Sequence, residues 1–136
     1  MNRFVKLYGI ANGNAGAART NFTSGTKYNI LMAAEKKCAA NVPGFQCDRD
    51  GKVLRHHQVD HIVPTYVGGP STIDNGQILC LECHHEKSRL ELRIFPRKNS
   101  RSFLFKRRNV KLWLKAIVLK KPSSISKIVR ILKILK

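Results

Sequence analysis

Apolar residues fall in short blocks along this chain, and turn-forming residues separate the blocks. The first 26 positions contain the run NGNAGAARTNFTSGT, rich in Gly, Ala, Asn and Thr and poor in large apolar groups, which reads as a flexible arm with at most a short strand at 4–8. From Tyr28 to Ala40 the segment YNILMAAEKKCAA brings good helix formers with apolar residues at near-helical spacing, so a helix is expected over 28–40. Ser24 or Thr26 is available to cap it, and Asn41-Val42-Pro43-Gly44 ends it, which puts Cys38 in its last turn or just beyond. Cys47–Gly51 reads as a turn. Residues 52–63, with Val53, Leu54, Val59, Ile62 and Val63, are β-like up to Pro64 and make one strand or two short ones. A turn-rich loop covers 64–77, Ile78-Leu79 suit a short strand, and 84–93 suit a helix that stops before Pro96.

Beyond Pro96 the pattern changes. Residues 103–119 interleave Lys and Arg with apolar positions around Trp113, and Lys120-Lys121-Pro122 divide this stretch from the last one. There Lys127, Arg130, Lys133 and Lys136 recur every third residue, with Ile125, Ile128, Val129, Ile131, Leu132 and Leu135 between them. That is a basic amphipathic helix with serine caps at hand.

A length of 136 residues fits one small domain with extensions, whose modest core would gain from a structural metal. The net charge of +18 calls for a polyanionic partner, and nucleic acid is the commonest. The charge is unevenly spread. Residues 92–136 carry 15 Lys or Arg and no acid, leaving 11 basic and 8 acidic groups, a net of +3, in the rest. The tail therefore supplies the field, as a nucleic-acid-binding arm, a helix packed on the core or a partner, or a membrane-surface helix.

Arg3 and Lys6 interrupt the apolar residues at the start, and no stretch is long and apolar enough to span a bilayer. A cytoplasmic setting without stable membrane association is expected, which favours metal ligation over disulfides for Cys38, Cys47, Cys80 and Cys83. Cys80-x-x-Cys83 has zinc-knuckle spacing, because two thiolates so placed reach one tetrahedral ion. Cys38 and Cys47 would complete a structural Zn²⁺ site across a longer gap of eight residues, with His56, His57 or His85 as substitutes for Cys38.

Between these cysteines lie Asp60-His61 and Asn75, and His84 directly follows the last of them. Phosphodiester hydrolysis needs an activated water, charge stabilisation on the phosphate and help for the leaving oxygen. A neutral imidazole suits the first task, and a divalent ion on a carboxylate and an imidazole suits the others. In order, Asp60-His61, Pro64, Gly68-Gly69, Asn75, Leu79-Cys80, Cys83-His84 and Lys87 resemble the motif of the HNH endonuclease family. The resemblance covers about thirty residues strictly and says nothing of 97–136.

What it implies is an α+β fold, a small ββα-metal (His-Me finger) domain with a structural zinc site, an N-terminal arm and helix, and a basic C-terminal helical tail. The expected organisation is an arm over 1–27, a nuclease domain over 28–96 and an extension over 97–136. By the resemblance, His61 is the general base, and Asp60 and His84 bind catalytic Mg²⁺, Mn²⁺ or Ni²⁺. Asn75 holds the loop and orients His61. His85 is expected to face away, although it could exchange roles with His84. Lys87 either contacts phosphate or is solvated, and Arg89, Lys106, Arg107 and Arg108 are expected on DNA. The chain would cleave DNA as a monomer or homodimer, in a bacterial or phage-infected cytosol, with a phage or mobile-element origin by analogy. The rival readings are a zinc-stabilised nucleic-acid-binding module without cleavage and a cationic membrane-active protein.

Overall fold

Helix α1 (Ser24–Ala33) begins where Thr23 accepts a 3.1 Å hydrogen bond from the Thr26 amide, so the cap is Thr23 and neither Ser24 nor Thr26. The computed structural model describes residues 21–96 and 103–135, with the backbone alone at 103–105. The strand expected at 4–8 and nearly all of the expected arm lie outside the described residues.

α1 is shorter than the helix expected over 28–40. Glu35 and Lys36 adopt left-handed φ of 51° and 57°, and the Glu35 and Lys36 amides bond the carbonyls of Met32 and Leu31, both at 3.1 Å. This is a Schellman closure. It turns the chain into an extended run in which Lys37 bridges Val53, Cys38 bridges Asp50, and the Ala39 amide bonds the Ile78 carbonyl at 2.8 Å. Cys38 therefore arrives on an extended segment and not on a helix.

Strands β1 (Gln58–His61) and β2 (Gly76–Leu79) pair antiparallel, with Gln58 opposite Leu79 and His61 opposite Gly76. Helix α2 (Leu81–Ile94) follows directly, and its N-cap is Cys80, whose sulfur accepts from the Cys83 amide. The order ββα is thus the expected one, although the β-like stretch 52–63 yields a strand only over its later part, 58–61. Ile62 and Val63 leave β1 because the connecting loop binds them: the Ile62 amide bonds the Asn75 carbonyl at 2.8 Å. The loop also explains its paired glycines. Gly68 has φ of +98°, and a Cβ on Gly69 would stand 1.8 Å from the Val63 carbonyl oxygen.

Two apolar clusters hold these elements. The first gathers Phe22, Ile30, Val42, Leu54, Ile78 and Leu79 around the four cysteines. The second joins Ile62, Val63, Val67 and Phe95 to helices α3 (Phe103–Lys120) and α4 (Ile125–Ile134), through Trp113, Leu114, Ile117, Ile128 and Ile131. The expected domain boundary at 96/97 thus falls between segments that share one core.

Of the options for the tail, packing on the core describes its apolar face, while Arg107, Arg108, Lys111, Lys115 and Lys133 stay exposed. Polar contacts fasten it as well: Lys121 pairs with Asp50 at 2.5 Å, Arg130 with Asp74 at 3.5 Å, and Lys127 donates to the Gly76 carbonyl. Among the described residues, no helix is long and apolar enough to cross a membrane.

Trp113 is the keystone of the second cluster. It is 1 % exposed, stands edge-on to Phe95, and donates from Nε1 to the Ile62 carbonyl at 2.8 Å. Trp113→Ala is expected to destabilise the fold by about 3–5 kcal/mol, since it opens a cavity and removes the hydrogen-bond partner of a buried carbonyl. Denaturant unfolding measures this directly, and a loss below about 1 kcal/mol would mean that the tail is not built into the core.

Candidate active site and metal centre

The extended run at Cys38, the turn at Cys47 and the N-terminus of α2 bring four buried sulfurs within 4.8 Å of one another. The Cys38–Cys47 and Cys47–Cys80 sulfur separations are both 3.8 Å. A tetrahedron with Zn–S bonds of about 2.3 Å has edges of about 3.8 Å, so the spacing is that of a structural zinc site. Backbone amides of Cys80, Arg49 and Cys83 point at the sulfurs of Cys38, Cys47 and Cys80, at 3.3, 3.4 and 3.4 Å. Such donors favour thiolates. Burial alone does the reverse: it pushes the Cys80 thiol up to about 12 and the Cys83 thiol higher still. A dication reverses that preference by binding the deprotonated sulfurs. The long Cys38–Cys47 gap is accommodated without a histidine substitute, and His56 and His85 lie exposed.

β1 carries the next pair of candidates. Neighbouring strand residues project to opposite sides, and Asp60 and His61 meet different partners accordingly. The His61 ring stacks on Phe22, with centroids 4.0 Å apart and planes 13° apart, and its Nε2 lies 2.9 Å from the Ser71 hydroxyl. Burial holds its pKa below the usual histidine value, with the Asp60 charge opposing and Lys87 adding to the effect.

Asn75 is fully buried and works through its side chain. Its Oδ1 accepts from the Val63 amide at 2.8 Å, and its Nδ2 donates to the carbonyls of Val63 and Pro70, both at 2.9 Å. None of these three hydrogen bonds reaches His61 itself. Val63 lies two residues after His61 and Pro70 one before Ser71, so a single amide fixes the chain beside both ends of the His61–Ser71 contact.

Asp60 turns towards α2. Its Oδ2 lies 2.7 Å from Lys87 Nζ and 3.4 Å from Gln77 Nε2, and Gln77 is held in turn by Asn41 at 2.9 Å. Lys87 is 2 % exposed, pairs also with Glu91, and sits 5.9 Å from the Trp113 ring centroid. This corrects the expectation for Lys87, which is neither solvated nor on a surface that phosphate can reach, because two carboxylates and an indole enclose it.

His84 lies three residues before Lys87, hence on the same side of α2, and is half-buried, while His85 is exposed. The four cysteines are the only group of three or more His, Cys, Asp or Glu close enough to share an ion among the described residues. Among the described residues, Asp60 and His84 thus belong to no group of three or more such ligands.

The basic candidates divide. Arg107 and Arg108 are exposed and line a shallow groove with Lys111 and Leu112. Arg89 is exposed but leans on Glu86 at 3.4 Å, and Lys106 is half-buried.

Sequence reasoning passed over Phe22, Ser71, Glu91 and Trp113 as site residues. Glu91 had a signal, since it lies four residues after Lys87 on a helix. Ser71 had a weaker one, its place between the paired glycines and Asn75. Residues 46–90 match the family model for the HNH endonuclease. That segment is similar to an HNH endonuclease domain. The match takes in β1, β2, most of α2, and Asp60, His61, Asn75 and His84, and it leaves out Cys38, Phe22 and Trp113. No curated protein and no solved structure matches the chain.

Proposed function

We propose that this HNH domain is a divalent-metal-dependent endonuclease that hydrolyses DNA phosphodiester bonds, with His61 as general base. The observation that carries the reading is the setting of His61: an imidazole stacked on Phe22, bonded to Ser71, and buried so that its pKa is lowered. A neutral imidazole is the form that takes a proton from water. In the tautomer whose Nε2–H donates to Ser71, Nδ1 is the nitrogen that receives that proton. Asn75 keeps both partners in register, which fixes ring pose without touching the ring.

Asp60 and His84 would hold the ion, which when bound supplies charge stabilisation to the phosphate and its leaving oxygen. Cys38, Cys47, Cys80 and Cys83 would hold zinc as a scaffold. DNA would be drawn in by exposed cations including Arg89, Arg107, Arg108 and Lys111, with an affinity that falls steeply with salt. A second reading has one observation in its favour. Lys87 already places a cation on Asp60, as a zinc-stabilised binding module without cleavage would allow.

Incubation of the purified protein with supercoiled plasmid separates the two. Nicking is expected with Mg²⁺, Mn²⁺ or Ni²⁺ and not in EDTA. A gel shift without cleavage in any of these metals would leave only the binding module. Because burial favours the unprotonated ring, the acid limb of kcat/KM is expected below pH ~6.5. A limb above that value would point to a base other than His61.

A further inference from the structure

An ammonium enclosed as Lys87 is costs several kcal/mol in lost hydration unless its surroundings offset it. Three groups do so, from three parts of the chain: Asp60 on β1 at 2.7 Å, Glu91 one turn further along α2, and the Trp113 face on α3 at 5.9 Å. Asp60 and Glu91 thus share one ammonium. On the Asp60 side, Lys87 and Gln77 both bond Oδ2, and Asn41 anchors Gln77, so Oδ1 is the oxygen left for another cation.

We infer that Lys87 is a positioning residue for Asp60, an internal cation that holds one carboxylate oxygen so that the other is presented to a divalent ion. The inference rests on the nuclease reading and adds to it that the ion site extends beyond residues 46–90, since Trp113 on α3 closes the cavity that holds Lys87. It also removes the apparent conflict between an Asp60–Lys87 pair and metal binding at Asp60. The two cations occupy different oxygens.

The consequence has a distinctive sign. Removing a positive charge beside a cation site strengthens cation binding if charge alone matters. Removing a positioning residue weakens it, by about 10–100-fold for groups that orient a ligand. The test measures Mn²⁺ binding by electron paramagnetic resonance, without DNA, on zinc-loaded protein, for wild type, Lys87→Met and the double variant Lys87→Met/Glu91→Leu. The double variant removes the two more buried charges together and leaves Asp60, the more exposed carboxylate, still bonded by Gln77, so it keeps the test available if Lys87→Met alone unfolds the protein. Near-UV circular dichroism establishes the fold of each.

At least tenfold weaker Mn²⁺ binding is expected in both variants, with cleavage partly restored at high Mn²⁺. Equal or tighter binding in a folded variant, while wild type binds Mn²⁺ and cuts DNA, overturns the role of Lys87 and leaves the nuclease reading intact. Wild-type protein that binds Mn²⁺ but cuts nothing overturns the nuclease reading alone. Wild-type protein that neither binds Mn²⁺ nor cuts overturns both.

Discussion

Removing zinc from the four sulfurs is expected to unfold the protein and abolish cleavage in the same step. The first apolar cluster is built around these cysteines, which come from three different structural joins. Cys38 ends the turn after α1, Cys47 starts the turn before Asp50, and Cys80 and Cys83 open α2. Structural zinc contributes about 10–16 kcal/mol in small domains, comparable to or larger than a typical domain stability of about 5–15 kcal/mol. Cys83 and His84 are consecutive, so the register of α2 that brings Cys83 to the zinc also sets His84 and, one turn on, Lys87. Loss of the ion therefore disturbs scaffold and working site together. Metal analysis should give one zinc per chain, and a strong chelator should collapse the near-UV signal and the activity in parallel, with recovery on adding zinc. Because the buried thiols must lose protons to bind, zinc affinity should fall as pH falls. A chelated protein that still melts cooperatively at the original temperature would refute the zinc scaffold.

The ββα order and its site were legible because the motif constrains local chemistry. Paired glycines, a buried-amide asparagine and a Cys-x-x-Cys step each do a job that few other residues can do. Gly69 is the clearest case, since the Val63 carbonyl occupies the space of its Cβ. Asn75 reads as a turn residue, and its side chain indeed pairs with backbone, but which backbone it pairs with depended on the loop closing on Val63. The reading of α1 ran too far because Glu35 and Lys36, good helix formers, take left-handed conformations, and no propensity marks that choice. Phe22 was hidden in a polar stretch, where one aromatic does not alter the composition. Lys87 differs from the expectation for a general reason: a lysine on a helix is usually solvated, and two of the three groups that make its burial tolerable, Asp60 and Trp113, lie 27 and 26 positions away. The tail showed its amphipathic period plainly. What its charge obscured was that the apolar stripe had a partner, the Ile62–Val67 and Phe95 surface behind β1.

The central claim is that His61 performs the proton transfer and does little for the fold. Its ring is half-buried, and Phe22 and Ser71 are the contacts it makes with its side chain. His61→Ala should therefore cost about 1 kcal/mol of stability, the loss of one stacking contact and one hydrogen bond. Its zinc content and its DNA affinity should match those of wild type, because neither the cysteine cluster nor the exposed cations touch His61. A general base contributes about 10²–10⁴-fold to rate, so the effect on cleavage is far larger than the effect on folding. The measurement that tests this most directly is single-turnover nicking of one plasmid, with Mg²⁺, by wild type and His61→Ala of equal zinc content and matched melting temperature. A rate lower by about 10²–10⁴-fold in the variant is the expected result. Equal rates would contradict the assignment of His61.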